Sequence, residues 1–164
     1  SPDGRWVVLQ RGFPTGAKIW RVSIDGGEAI PLTQMRGQKP DVSPDGKLIA
    51  YYSLDSGSEK SQWMYGAMSF DGGPLINRFL FSPTVAVRIV RWVPGGWGLA
   101  YLETIGGVSN IRVQPLDGGQ SWQLSNFKSE RIDSFEWSPD GRSLAAVRAS
   151  ETSDVVLIQS KSAD

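Results

Sequence analysis

The chain has 164 residues, a length for one domain, and its 17 Lys plus Arg balance 17 Asp plus Glu, so it offers no basic excess for bulk binding to nucleic acid or anionic lipid. Histidine and cysteine are both absent, which excludes Ser-His-Asp and Cys-His nucleophiles, His or Cys metal sites, disulfides and thiol redox centres. Glycine (19), proline (10) and tryptophan (7) are abundant, which favours short strands and tight turns, and the longest apolar runs fall far short of the roughly 18 residues of a membrane-crossing helix.

In chain order, Ser1–Gly4 reads Ser-Pro-Asp-Gly. Proline presets φ at the second position and glycine accepts positive φ at the fourth, so the motif predicts a type I turn at a hairpin. Strands are expected at Arg5–Gln10 and Lys18–Ile24, then a tight turn at Asp25-Gly26-Gly27, then a weaker, more polar strand at Glu28–Thr33. Gln38–Val42 leads into a second Ser-Pro-Asp-Gly at Ser43–Gly46. Lys47–Ser53 and Gln62–Phe70 follow, then Asp71-Gly72-Gly73 and Pro74–Leu80. The third unit runs Arg88–Trp92, a degenerate turn Val93-Pro94-Gly95-Gly96, Gly98–Thr104, Asn110–Leu116, Asp117-Gly118-Gly119 and Gln120–Leu124. The fourth runs Asp133–Trp137, Ser138–Gly141, Ser143–Ala149 and Asp154–Gln159.

The first mark recurs at intervals of 42, 50 and 45 residues and the second at 46 and 46, with offsets of 24, 28 and 24 between them. Two interlocked periods of one length describe a repeat of four strands. Middle strands such as Leu48–Tyr52 are apolar at every position and need cover on both faces, whereas the run after Asp-Gly-Gly carries charge and proline, as an edge strand does. The expected fold is all-β: a β-propeller segment of about four four-stranded antiparallel blades, an open arc of a larger ring. The expected blades are 1–37, 38–83, 84–126 and 127–164, the first and last incomplete. A start at a turn, without an initiator Met, reads as a cut through a longer propeller.

Several residues invite a functional reading. Gly95-Gly96-Trp97-Gly98 has half the look of a phosphate loop but opens no helix and occupies the turn slot, so a turn is expected. Asp55–Glu59 lies in the loop that lengthens the second offset and has too few oxygen ligands for calcium. Arg36–Lys39 and Lys128–Arg131 are expected as solvated connectors. Trp92 and Trp137 share one repeat position with Val42, which predicts packing between blades. Just before that position stand Asp41, Arg91 and Glu136. If the first strand of each blade lines the axis, these three face a central channel as mutually neutralising charges or as a ligand contact.

The series Ser43–Ser53 followed by a strand and Asp-Gly-Gly resembles the TolB-like, WD-repeat-like propellers of bacteria. More narrowly, Lys18–Gly27, Gly107–Ile111, Gln114–Gly119, Phe127–Ser129 and Thr152–Ile158 are similar to long bacterial signalling proteins, common in acidobacteria, in which a serine/threonine kinase or winged-helix regulator domain precedes a propeller. The resemblance implies the C-terminal arc of such a propeller. The kinase's own motifs are not in this sequence: no glycine-rich loop with its lysine, no His-Arg-Asp, no Asp-Phe-Gly.

The expected function is therefore non-catalytic binding of a peptide, protein or small ligand at the propeller face or channel. No cofactor, nucleic acid or membrane insertion is expected, and the remaining blades of the parent ring are expected as partners. The alternatives are the gating propeller of a prolyl-oligopeptidase or tricorn-type serine peptidase, whose Gly-x-Ser-x-Gly elbow would lie elsewhere, and a TolB-like periplasmic protein. The compartment, cytoplasmic or cell-envelope, depends on sequence outside this segment.

Overall fold

The computed structural model describes residues 1–12, 16–55, 62–80 and 89–150. The loop 56–61 and the expected strand 154–159 lie outside the described residues. Among the described residues, thirteen strands form four antiparallel sheets. β1 (Trp6–Arg11), β2 (Lys18–Ser23) and β3 (Ile30–Pro31) make the first. β4 (Gly37–Val42), β5 (Leu48–Asp55), β6 (Gln62–Ser69) and β7 (Asn77–Leu80) make the second. β8 (Val90–Trp92), β9 (Gly98–Ile105), β10 (Val108–Pro115) and β11 (Trp122–Gln123) make the third, and β12 (Arg131–Trp137) pairs β13 (Leu144–Ala149) in the fourth. Strand order follows chain order in every sheet, which is the up-and-down meander of a propeller blade.

The sheets stack face to face, and the period of two along each strand assigns alternate side chains to the two neighbours. On β5, Ile49 and Tyr51 pack toward the first sheet with Ile19 and Leu32, whereas Ala50 and Tyr52 pack toward the third with Trp92, Leu99 and Tyr101. On β9 the pattern repeats one blade later: Leu99 and Tyr101 face back, and Ala100 and Leu102 face forward to Ile132 and Phe135. This is why the middle strands read apolar throughout. Burying each large side chain is worth roughly 1.5–3 kcal/mol, so the three inter-blade cores hold the stack together. The repeat position Val42, Trp92, Trp137 joins these cores in turn, as expected from its recurrence.

The Ser-Pro-Asp-Gly corners share one wiring. In the second, Ser43 Oγ donates to Asp45 Oδ1 at 2.7 Å and accepts from Leu48 N at 2.9 Å, while Lys47 N donates to the same Oδ1 at 3.1 Å. Ser138 and Asp140 repeat these bonds to Ser143 and Arg142, and Ser1 and Asp3 repeat them to Trp6 and Arg5. The fourth residue sits at φ 70, 72, 72 and 69° at Gly4, Gly46, Gly96 and Gly141, the left-handed region that favours glycine. Ser43 is 1% exposed, so Ser43→Ala is expected to cost about 1–3 kcal/mol by stripping buried partners. Urea midpoints should show a smaller loss for Ser138→Ala at the more exposed copy.

These bonds hold the corner carboxylates in the charged form. Asp3 is lowered to about 2 by hydrogen bonds from the Ser1 hydroxyl and the Arg5 backbone, and Asp45 and Asp140 are lowered by the equivalent Ser43 and Ser138 hydroxyls first. A depressed folded-state pKa contributes stability that is complete above the unfolded value of about 4 and disappears as pH falls through the folded value. Replacing Asp45 and Asp140 together by asparagine is therefore expected to flatten the acid limb of stability below about pH 4, read by urea titrations at each pH. An unchanged acid limb would show that these corners do not set it.

Three features depart from expectation. The outer strands β3 and β11 have two residues each: both pair on one side only, and in β3 Pro31 also cannot donate to a ladder. Arg36–Lys39 is not a free connector: β4 begins at Gly37, which is buried, and Lys39 takes φ 51° inside a register shift between Gln38 and Asp41. Likewise β12 begins at Arg131, with a register shift between Ile132 and Ser134. Both bulges bend a first strand where the blades come together.

Candidate functional site

The sheets converge on their first-strand side, where β4 lies against both β1 and β8. The residue preceding each core-packed Val42, Trp92 or Trp137 must point to the opposite face of its strand, and these residues are Asp41, Arg91 and Glu136. The structure brings the three together. Arg91 Nε donates to Glu136 Oε1 and Oε2 at 2.7 and 2.8 Å, and Arg91 Nη1 donates to Val90 O at 3.0 Å. Asp41 Oδ2 accepts from Trp92 N at 3.2 Å, and the Trp92 indole N–H donates to Asp41 O at 2.9 Å. One polar seam thus links the first strands of three blades.

The electrostatics of the seam are uneven. Arg91 and Glu136 are 35% and 64% exposed, and an ion pair that open contributes about 0–1 kcal/mol. Asp41 is more enclosed: burial pushes its carboxyl up, opposed by the Trp92 N–H and the Arg91 charge. A carboxylate raised by burial carries a stability penalty that is complete above its folded-state value and is relieved as pH falls. Asp41→Asn keeps an acceptor for Trp92 N and is expected to raise the urea midpoint at pH 7 while leaving it near wild type at pH 3. A lower midpoint at pH 7 would mean that attraction to Arg91 outweighs desolvation.

The corners lie beside this seam and are stitched to one another. A methyl group on Gly46 would lie 3.5 Å from Pro2 Cδ, one on Gly96 3.6 Å from Pro44 Cδ, and one on Gly141 2.6 Å from Pro94 Cβ. The proline of each corner therefore rests on the glycine of the next. The recurring Pro and Gly were legible as turn residues, but their contact across blades was not, because it joins positions more than 40 residues apart.

The degenerate corner keeps its backbone bonds, Gly96 N to Val93 O at 2.9 Å and Val93 N to Gly98 O at 3.0 Å, without a serine or aspartate. Val93 is buried in the core with the fourth blade, and Trp97 stacks on Trp122 of β11 with centroids 5.5 Å apart and planes 6° apart. Gly95 and Gly96 sit in the β8–β9 turn at φ 83 and 72°, with no helix for a phosphate to cap. Sequence reading also missed Arg21. Its guanidinium lies 4.7 Å from the Trp6 ring centroid and 5.3 Å from that of Phe70, and Nη1 donates to Asp71 Oδ1 at 2.7 Å, tying blade 1 to the Asp-Gly-Gly turn of blade 2. Among the described residues no group of three or more Asp and Glu gathers as a metal site.

No family model matches the chain. An uncharacterised protein of Agrobacterium fabrum is 28% identical over 110 residues, which span 63% of this chain and 38% of that protein. Among solved structures, TolB from Acinetobacter baumannii superposes with a TM-score of 0.70 at 20% identity, over 88% of this chain and 35% of TolB. A chain of a nidogen–laminin complex superposes with a TM-score of 0.61 at 16% identity, over 88% of this chain and 53% of that one. The chain thus spans little more than a third of the relative and of TolB. At these identities the likeness is one of fold, and the fold is a β-propeller segment of the kind found in TolB.

Proposed function

We propose that this chain is a non-catalytic recognition module, which presents the first-strand seam and the corners beside it to a peptide, a protein or a small ligand. The observation that carries this reading is the placement of Asp41, Arg91 and Glu136 at one level of three successive first strands, joined by Arg91 to Glu136 at 2.7 Å. So exposed an ion pair is not needed for stability. Its three bonds to Glu136 and Val90 use Nε and Nη1, and Nη2 makes no hydrogen bond among the described residues. In this reading the seam faces the propeller channel, and Nη2 with the Glu136 carboxylate meets the ligand. Loops and mouths on a rigid scaffold are where such contacts collect. Nidogen's appearance in complex with laminin shows one protein of this fold class in a protein assembly.

The reading extends to context. We place the module in a larger bacterial signalling protein of the kinase or winged-helix regulator type, on the resemblance of its repeat series alone. Further blades of a longer ring are then its nearest partners. The first described sheet has three strands where the second and third have four, and Val7 on β1 is 50% exposed. Such a face favours association.

The test is selection of binding peptides from a displayed random library panned on the chain, with each binder measured again on Arg91→Ala and Glu136→Ala. Losses of about tenfold or more in affinity are expected for a major share of binders. Binders indifferent to both substitutions would refute the seam as the recognition site, and turnover of peptide or ester substrates by the chain would refute the non-catalytic reading.

A further inference from the structure

A half-open cleft of about 600 Å³ runs between blades 1 and 2, with Pro31, Leu32, Met35 and Leu75 in its walls. That volume is within the usual range of small-molecule sites, about 300–1,000 Å³. Among the described residues its charged groups have one sign: Lys18, which opens β2, and Arg78, on β7, both line it, and no described carboxylate does. Neither cation has an acidic partner among the described residues. In a chain with equal numbers of acids and bases, two cations without an acidic partner on one cleft are a local departure from the surface average.

A second observation points the same way. Tyr51 lines the cleft although it is 3% exposed, and its hydroxyl makes no hydrogen bond among the described residues. The hydroxyl is not one of the buried polar atoms left without a partner, so it reaches the open cleft and is available to a ligand there. Burial pushes this phenol up, so it stays protonated as a donor, and the Arg78 charge is close enough to oppose that shift. Tyr51 is otherwise a core residue, packed with Ile19, Ile49 and Met68. Three donors therefore line a cleft of mixed polar and apolar walls, in which no carboxylate among the described residues balances the two cations.

We propose that this cleft binds a small amphipathic anion, a carboxylate or phosphate head on an apolar body. Arg78 and Lys18 take the head, the Tyr51 hydroxyl donates to it, and Leu32, Met35 and Leu75 cover the body. The guanidinium fork suits both head groups. The site shares no residue with the first-strand seam and does not depend on the recognition role proposed for it. Periodicity could not reveal it, since Lys18 and Arg78 occupy different positions of the repeat.

The test is calorimetric titration of the whole chain with octanoate, octyl phosphate and the neutral 1-octanol. At least one anion is expected to bind at a single site, with 1-octanol weaker by about tenfold or more. The preferred anion identifies the head group. Arg78→Gln and Lys18→Gln should each weaken that anion about tenfold, Tyr51→Phe should weaken it several-fold, and Arg142→Gln at a distant corner should leave it unchanged. Urea midpoints confirm that the variants are folded. Absence of anion binding, equal binding of 1-octanol, or affinity unmoved in both cation variants overturns the proposal.

Discussion

Trp92→Ala is expected to lower stability by about 3–5 kcal/mol, the largest loss from a single side chain in this molecule. Trp92 is 5% exposed and stands in the core shared by the second and third blades, against Ala50, Leu99 and Tyr101. Truncation leaves a cavity the size of an indole between two sheets that cannot close without moving both. It also removes the indole N–H that donates to Asp41 O at 2.9 Å, leaving a carbonyl of the first-strand seam without that donor. Trp97→Ala is the matched comparison: that ring is 49% exposed and its loss should cost no more than about 1 kcal/mol. Urea unfolding of both variants decides the matter. Equal losses would mean that the inter-blade core does not hold the stack.

Gly66→Ala is the second large effect, and its sign is opposite to the usual one. In a strand interior, alanine is ordinarily preferred over glycine by about 0.5–1 kcal/mol. Here a Cβ would lie 2.5 Å from Asn77 O and 2.5 Å from Leu75 Cδ2. Leu75 can turn aside, but Asn77 O belongs to the backbone of β7 and is held in register opposite Ala67. Relief requires β7 to swing away from β6, straining the pairing and the Ile76 N to Ala67 O bond at 2.8 Å. A loss of about 2–3 kcal/mol in urea is expected, at the upper end of overpacking costs. Unchanged or increased stability would show that the outer strand is free to yield.

The repeat was legible because its two turn motifs are local: a proline, an aspartate and a glycine at fixed offsets impose a backbone shape whatever lies around them. The middle strands were legible for a related reason, since a run such as Leu48–Tyr52 tolerates no solvent on either face. The seam residues Asp41, Arg91 and Glu136 were found through recurrence of position, although the sequence could not say which pair would bond. What escaped depends on contacts with no local signature. Arg21 between Trp6 and Phe70, proline on the next corner's glycine, and Trp97 on Trp122 all join residues far apart in the chain. The bulge at Lys39 escaped because nothing in Gly37–Val42 announces positive φ at a lysine.

Amide hydrogen exchange across the chain tests the side-by-side arrangement of four-stranded blades most directly. β5 and β9 have a paired strand on each side and an inter-blade core on each face, so their amides should open only with global unfolding. β7 and β11 pair on one side and should exchange by local fraying, orders of magnitude sooner. Graded protection in that order, repeated in the second and third blades, is the predicted result. Protection of β7 and β11 equal to that of β5 and β9, or a gradient present in one blade and reversed in the other, would contradict the account.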